Sequence, residues 1–221
     1  MSRPSVRPAL LFDLDGTLLS SEGDLAIAVN LMRARHALPP LSLPTVVSYV
    51  GDGLSKLAER SLQGAPVPLD TALAELSAFY ADHLTDTTHP LPGVDDGLRA
   101  LHDAGFPLAL VTNKPSPHAR RLLDHFSWTP LFSAVVAGGD TPFRKPRPEP
   151  LLHALSLLGR PPSSAWMIGD HHTDLAAARL AAVPSIFLSN GLGTAAPETP
   201  TATLPTFSAL LTFLLSAPPS A

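Results

Sequence analysis

The chain has 221 residues, 45% of them hydrophobic and 15% charged, with a formal net charge of −4. At about 100–200 residues per domain this length accommodates one domain with a modest insertion, and the mildly acidic balance argues against disorder and against a nucleic-acid-binding surface. Cysteine is absent, which excludes disulfides, thiolate nucleophiles and cysteine-based zinc or iron–sulfur sites. Proline is frequent, at 25 residues, whereas lysine occurs only at Lys56, Lys114 and Lys145.

The apolar run that begins at Ala9 breaks at Asp13, too early for a signal-peptide core. No stretch reaches the roughly 18 apolar residues of a membrane span, so a cytoplasmic location without membrane contact is expected. Residues 9–12 form a short continuous apolar run, the pattern of a strand buried on both faces of a parallel sheet. Residues 108–111 and 165–168 repeat that pattern, and weaker strands are predicted at 133–137 and 184–188. Helical periodicity separates them at 95–104, 117–126, 148–158, 173–182 and 207–215.

This alternation predicts an α/β fold, a doubly wound parallel sheet of the Rossmann-like kind, with functional residues beyond the carboxyl ends of the strands. Residues 20–88 stand outside it. Helices predicted at 24–36, 53–63 and 70–86 are separated by Pro39-Pro40, Pro44 and Gly64-Ala65-Pro66. The expected organisation is therefore a core of residues 1–19 and 89–221 with an all-helical insertion at 20–88. Residues 197–205, rich in Pro and Thr, read as a surface connector.

Each buried strand ends in polar residues. Asp13 and Asp15 are two apart at a strand end, which aims both carboxylates to one side, and Gly16 permits a tight departure of the backbone. Such a pair suits a metal or acid/base work, or is simply a solvated turn. Thr112 and Asn113 offer donors to an oxyanion, or merely close a strand before Pro115. Lys145 precedes a predicted helix, a good place for phosphate, though lone lysines are often only solvated. Asp170 ends a third strand and Asp174 opens the next helix, where it also suits a capping role. Together the aspartates supply oxygen ligands of the kind Mg²⁺ takes.

In this order the motifs Asp13-Leu14-Asp15-Gly16-Thr17, Thr112, Lys145 and Gly169-Asp170 with Asp174 resemble those of the haloacid dehalogenase superfamily of phosphatases, along essentially the whole chain. The resemblance implies Asp13 as nucleophile, Asp15 as general acid/base, and Thr112, Asn113 and Lys145 as phosphate ligands. It further implies Mg²⁺ held by Asp13, Asp15 and Asp170, with Asp174 completing the site from behind, and a helical cap at 20–88. A closer similarity is to phosphoglycolate phosphatases, carried by Tyr49-Val50-Gly51-Asp52-Gly53-Leu54, Val111-Thr112-Asn113-Lys114-Pro115, Gly138-Gly139-Asp140 and Lys145-Pro146-Arg147-Pro148. That group typically has Asp where Ser20 stands and Ser where His171 stands.

The expected function is Mg²⁺-dependent hydrolysis of a small phosphate monoester, 2-phosphoglycolate first among candidates, through an aspartyl-phosphate. Alternatives are a phosphatase for a sugar phosphate, nucleotide or pyrophosphate, a phosphosugar mutase, a receiver-like phospho-acceptor, or a binding module without catalysis. His171-His172 lacks further ligands at zinc spacing, and Gly51-Asp52-Gly53 lacks the preceding strand of a nucleotide loop.

Overall fold

The computed structural model describes residues 7–216. In chain order its main elements are β1 (Ala9–Phe12), β2 (Leu19–Ser20), α1 (Glu22–Arg35), α2 (Leu43–Val47), α3 (Leu54–Leu62), α4 (Leu69–Asp82), β3 (His89–Pro90), α5 (Val94–Asp103), β4 (Leu108–Pro115) and α6 (Ser116–His125). Then follow β5 (Ala134–Gly138), α7 (Glu149–Leu158), β6 (Ala165–Gly169), α8 (His172–Leu180), β7 (Ser185–Leu188), β8 (Ala202–Leu204) and α9 (Phe207–Ser216). No helix among the described residues is long and apolar enough to cross a membrane.

Every residue of β1 is buried, and its side chains alternate between two apolar layers. Leu10 and Phe12 pack with Leu98 of α5 and Phe207 and Leu210 of α9 on one face. Ala9 and Leu11 pack with Leu151 and Ala154 of α7 and Ala177 of α8 on the other. Burial on both faces explains why the run carries no polar alternation.

The sheet is parallel throughout, in the order β5-β4-β1-β6-β7-β8. The chain begins at the centre, winds outward through β4 and β5, then returns to the other side of β1 through β6. Strand order therefore reverses at β1, and the crevice beyond its carboxyl end is the topological switch point where such sheets bind ligands. This is the doubly wound Rossmann-like core with a helical cap. Helices α1 to α4 pack on one another, and β2 and β3 pair antiparallel, Leu19 with Pro90 and Ser20 with His89, where the chain leaves and re-enters the sheet region.

Several elements differ from the sequence expectation for identifiable reasons. α2 forms around Pro44, which lies in its first turn, where the missing N–H has no partner to lose, and Ser42 caps it by accepting from the Thr45 N–H at 3.3 Å. The fourth strand continues past Val111 to Pro115 with an irregular register against β5, so the polar residues expected beyond its end lie within it. The stretch read as a connector contains β8, an edge strand paired only with β7, a position that tolerates the surrounding prolines. α4 ends at Asp82, four residues short of the prediction.

Asp24, fully buried in the first turn of α1, accepts hydrogen bonds from the Thr87 N–H at 2.8 Å, the Thr87 hydroxyl at 2.6 Å and the Thr88 N–H at 2.9 Å. Burial pushes its pKa up, but these hydrogen bonds outweigh it and hold the carboxyl below the usual range. The side chain ties the start of the helical insertion to its end. Asp24→Ala strands two buried backbone donors and is expected to lower stability by roughly 3 kcal/mol, or Tm by roughly 6–12 °C, measured by thermal unfolding.

Candidate active site

Asp13 follows β1 directly, its N–H bonded to the Ile168 carbonyl of β6 at 3.0 Å. Its Oδ1 lies 2.8 Å from Lys145 Nζ, and the same ammonium lies 2.6 Å from Asp174 Oδ1. Lys145 is itself buried, and its peptide is clamped by Asn113, whose Oδ1 accepts from the Lys145 N–H and whose Nδ2 donates to the Lys145 carbonyl, both at 2.9 Å. The Asn113 amide also reaches the Gly51 carbonyl of the insertion at 3.2 Å. Asn113 therefore positions Lys145 from β4 and tethers the loop before α3.

Asp170 ends β6. Its Oδ1 accepts from the Thr17 hydroxyl at 2.6 Å, and its Oδ2 from the N–H groups of Leu192 and Gly193 at 2.9 and 3.1 Å. Gly16, at φ +82°, lets the chain turn beside it, since a Cβ there would stand 2.3 Å from Asp170 Oδ2. Asp174 caps α8 by accepting from the His171 N–H at 3.1 Å, so the capping role and the contact with Lys145 coexist on its two oxygens.

Asp13, Asp170 and Asp174 each offer an oxygen within 4.8 Å of the others. Three carboxylates face one ammonium, an imbalance that fits a hard cation. Burial pushes Asp170 up to about 7, with Asp174 and Asp13 adding repulsion, and burial raises Asp13 to about 6 against the pull of Lys145. Asp15 stands apart from this group. Its Oδ1 accepts from Lys114 Nζ at 2.7 Å and from the Ser21 hydroxyl at 2.5 Å, which turns it toward β4 and the start of the helical insertion. Thr112 Oγ1 accepts from the Lys114 N–H at 3.2 Å, and its own proton remains available to an oxyanion.

Asp13, Asp15, Thr112, Asn113, Lys114 and Asp170 line a cavity of about 50 Å³ between the strand ends and α3 and α4. The chain segments that roof it include Val50, Gly51 and Leu54, and Leu192 and Gly193 close one side. His171 also lies in the wall, against Gly51, where a Cβ would be 2.7 Å from its Cε1. Burial and the adjacent His172 lower its pKa to about 4, so the imidazole is neutral at pH 7. Sequence reasoning did not place Tyr80, Ser21 or the 191–193 loop at the site, and gave Thr17 no role beyond its place in the first motif. Only the Gly pair flanking Leu192 hinted at a close backbone approach after β7.

A model of haloacid dehalogenase-like hydrolases matches residues 10–188. The chain belongs to that family. It is 38% identical to the phosphoglycolate phosphatase of Psychrobacter arcticus over 226 aligned positions, covering 96% of this chain and 97% of that protein. It is 39% identical to the phosphoglycolate phosphatase of Chromobacterium violaceum, covering 83% and 85%. Among solved structures, that of a predicted phosphoglycolate phosphatase from Haemophilus somnus superposes with a TM-score of 0.89 at 28% identity, over 94% of this chain and 97% of that one.

The raised pKa values of Asp13 and Asp170 set the pH dependence of cation binding. Their folded values exceed the unfolded 3.8, so without a cation their ionisation costs stability increasingly as pH rises from about 4 to 7. A bound cation must first displace those protons. For a divalent cation held by these carboxylates, the rise in Tm on its addition is therefore expected to be small at pH 5, to grow through pH 6–7 and to level off above pH 8, measured by thermal unfolding with and without the cation.

Proposed function

We propose that the protein is a Mg²⁺-dependent phosphomonoesterase whose substrate is 2-phosphoglycolate or a closely similar short phosphorylated acid. The observation that carries the chemistry is Asp13, fixed at the strand-order switch point with one oxygen on a buried lysine and Asp15 two residues on facing the helical cap. The names of the 38–39% identical relatives support the substrate. We take the cap to span residues 20–88 and the core to comprise 1–19 and 89–221.

Lys145 draws the phosphate toward Asp13 and offsets the repulsion between two anions. Thr112 donates its hydroxyl to a phosphate oxygen, while Asn113 holds Lys145 in place for that contact. The free oxygen of Asp13 attacks phosphorus in line, the ester P–O bond breaks, and Asp15 passes a proton to the departing oxygen. Asp15 then takes a proton from the water that attacks the aspartyl-phosphate, and Asp13 is released with inorganic phosphate. Mg²⁺, held by Asp13, Asp15 and Asp170, would supply charge neutralisation for the transferring group. Asp174 keeps Lys145 and the start of α8 in register with that site.

The cap's apolar Leu25, Val50, Leu54 and Leu57 exclude water while the acyl phosphate exists. A cavity of about 50 Å³ admits a leaving group of few heavy atoms unless the cap moves outward. Purified protein with Mg²⁺ is expected to hydrolyse 2-phosphoglycolate with a higher kcat/KM than glucose 6-phosphate or a nucleoside monophosphate. Faster turnover of the larger esters would overturn the substrate reading. Asp13→Asn is expected to reduce phosphate release by roughly 10⁴-fold or more with Tm retained.

A further inference from the structure

The cavity wall has two chemically different halves. Around Asp13 and Asp170 it is polar, whereas the helical insertion supplies mainly Leu25, Val50, Leu54 and Leu57. One polar pair interrupts the apolar half. Tyr80, from α4, meets Lys114, from β4, in a direct hydrogen bond, and both line the cavity. Lys114 is the only lysine or arginine in the wall among the described residues. Lys145 stands behind the wall, engaged by Asp13 and Asp174.

Donor capacity remains at this pair. An ammonium has three N–H donors, and Asp15 and Tyr80 accept two of those of Lys114. The Tyr80 hydroxyl accepts from Lys114 and keeps its own proton to give. Two donors, one of them cationic, thus stand side by side on the surface that surrounds Asp15. On the proposed reaction path Asp15 protonates the departing oxygen, so the carbon end of the leaving group lies on this side of the cavity and not beside Asp170.

We propose that Lys114 and Tyr80 form the subsite that reads a carboxylate on the leaving group, Lys114 through its charge and Tyr80 through its hydroxyl, and so restrict turnover to short phosphorylated acids. This rests on the phosphatase reading above and names the residues that set its substrate class. A carboxylate accepts both hydrogen bonds with charge assistance. Asp15 already pairs with the ammonium, but a neutral alcohol gives its remaining N–H no charged acceptor, a situation in which polar sites discriminate. Because Tyr80 belongs to the insertion and Lys114 to the sheet, the subsite is complete only when α4 is seated over the strand ends.

The test compares two esters that differ only at the far carbon, 2-phosphoglycolate and 2-hydroxyethyl phosphate, with Mg²⁺. In the wild-type protein kcat/KM is expected to favour the carboxylate ester. Lys114→Met is expected to cut that ratio by roughly 100-fold, mainly through KM for phosphoglycolate, while Lys114→Arg restores part of it. Tyr80→Phe, which removes one oxygen and keeps the ring against His118, is expected to cut the ratio roughly 5–10-fold and carries the test should Lys114→Met fail to fold. A ratio unchanged in both variants, with phosphoglycolate still preferred, overturns the subsite and leaves the substrate reading standing. Equal loss on both esters makes Lys114 only a support for Asp15 and likewise overturns the subsite. Equal turnover of the two esters by the wild-type protein overturns the substrate reading together with it.

Discussion

The site is organised around one buried ammonium. Lys145 Nζ lies between Asp13 and Asp174, and nearly every neighbouring feature holds it there. Asn113 grips its peptide from both sides, so β4 determines where a residue far along the chain begins its side chain. Asp174 is fixed by capping α8, so the start of that helix determines where the second oxygen stands. A buried charge is costly unless paired and hydrogen-bonded. Here the pairing spans three strand ends, which makes their relative register a condition for the site to exist.

The same lysine is outnumbered. Asp13 and Asp174 pair with it and Asp170 stands beside them, so three carboxylates share one ammonium, and burial, with repulsion among these carboxylates adding to it, holds Asp13 and Asp170 above the usual carboxylate range. A divalent cation would balance the two negative charges left over, which is why a cluster of this composition suits a hard cation. An incoming phosphate would then meet a neutral site in place of an anionic one.

How much of this was legible in the sequence depended on how local each signal was. Asp13 and Asp15 could be read because a doubly buried strand is a continuous apolar run and its end is abrupt. Asp170 and Lys145 were legible for a similar reason, the one beside a recognisable strand end and the other before a recognisable helix start. α2 and β8 were not, since Pro44 and the prolines around β8 read as breakers without knowledge that one lies in a first turn and the other on an edge strand. Tyr80 was invisible in a helical pattern in which an inward aromatic residue is ordinarily core. Its hydroxyl acquires meaning only from Lys114, 34 positions away, and no periodicity encodes that distance.

The chain's lysine usage makes the last point in chemical terms. Of three lysines, Lys56 is exposed and pairs with Glu59, while Lys114 and Lys145 are both buried at the site. Arginine carries the rest of the positive charge. A guanidinium is planar, broad and suited to a forked contact, whereas an ammonium is a compact point charge whose three donors can address acceptors in different directions. Lys145 addresses Asp13 and Asp174, and Lys114 addresses Asp15 and Tyr80, each with one donor to spare. The two ammonium groups stand at different places about the cavity, Lys145 behind its wall against Asp13 and Lys114 within the wall beneath the helical insertion.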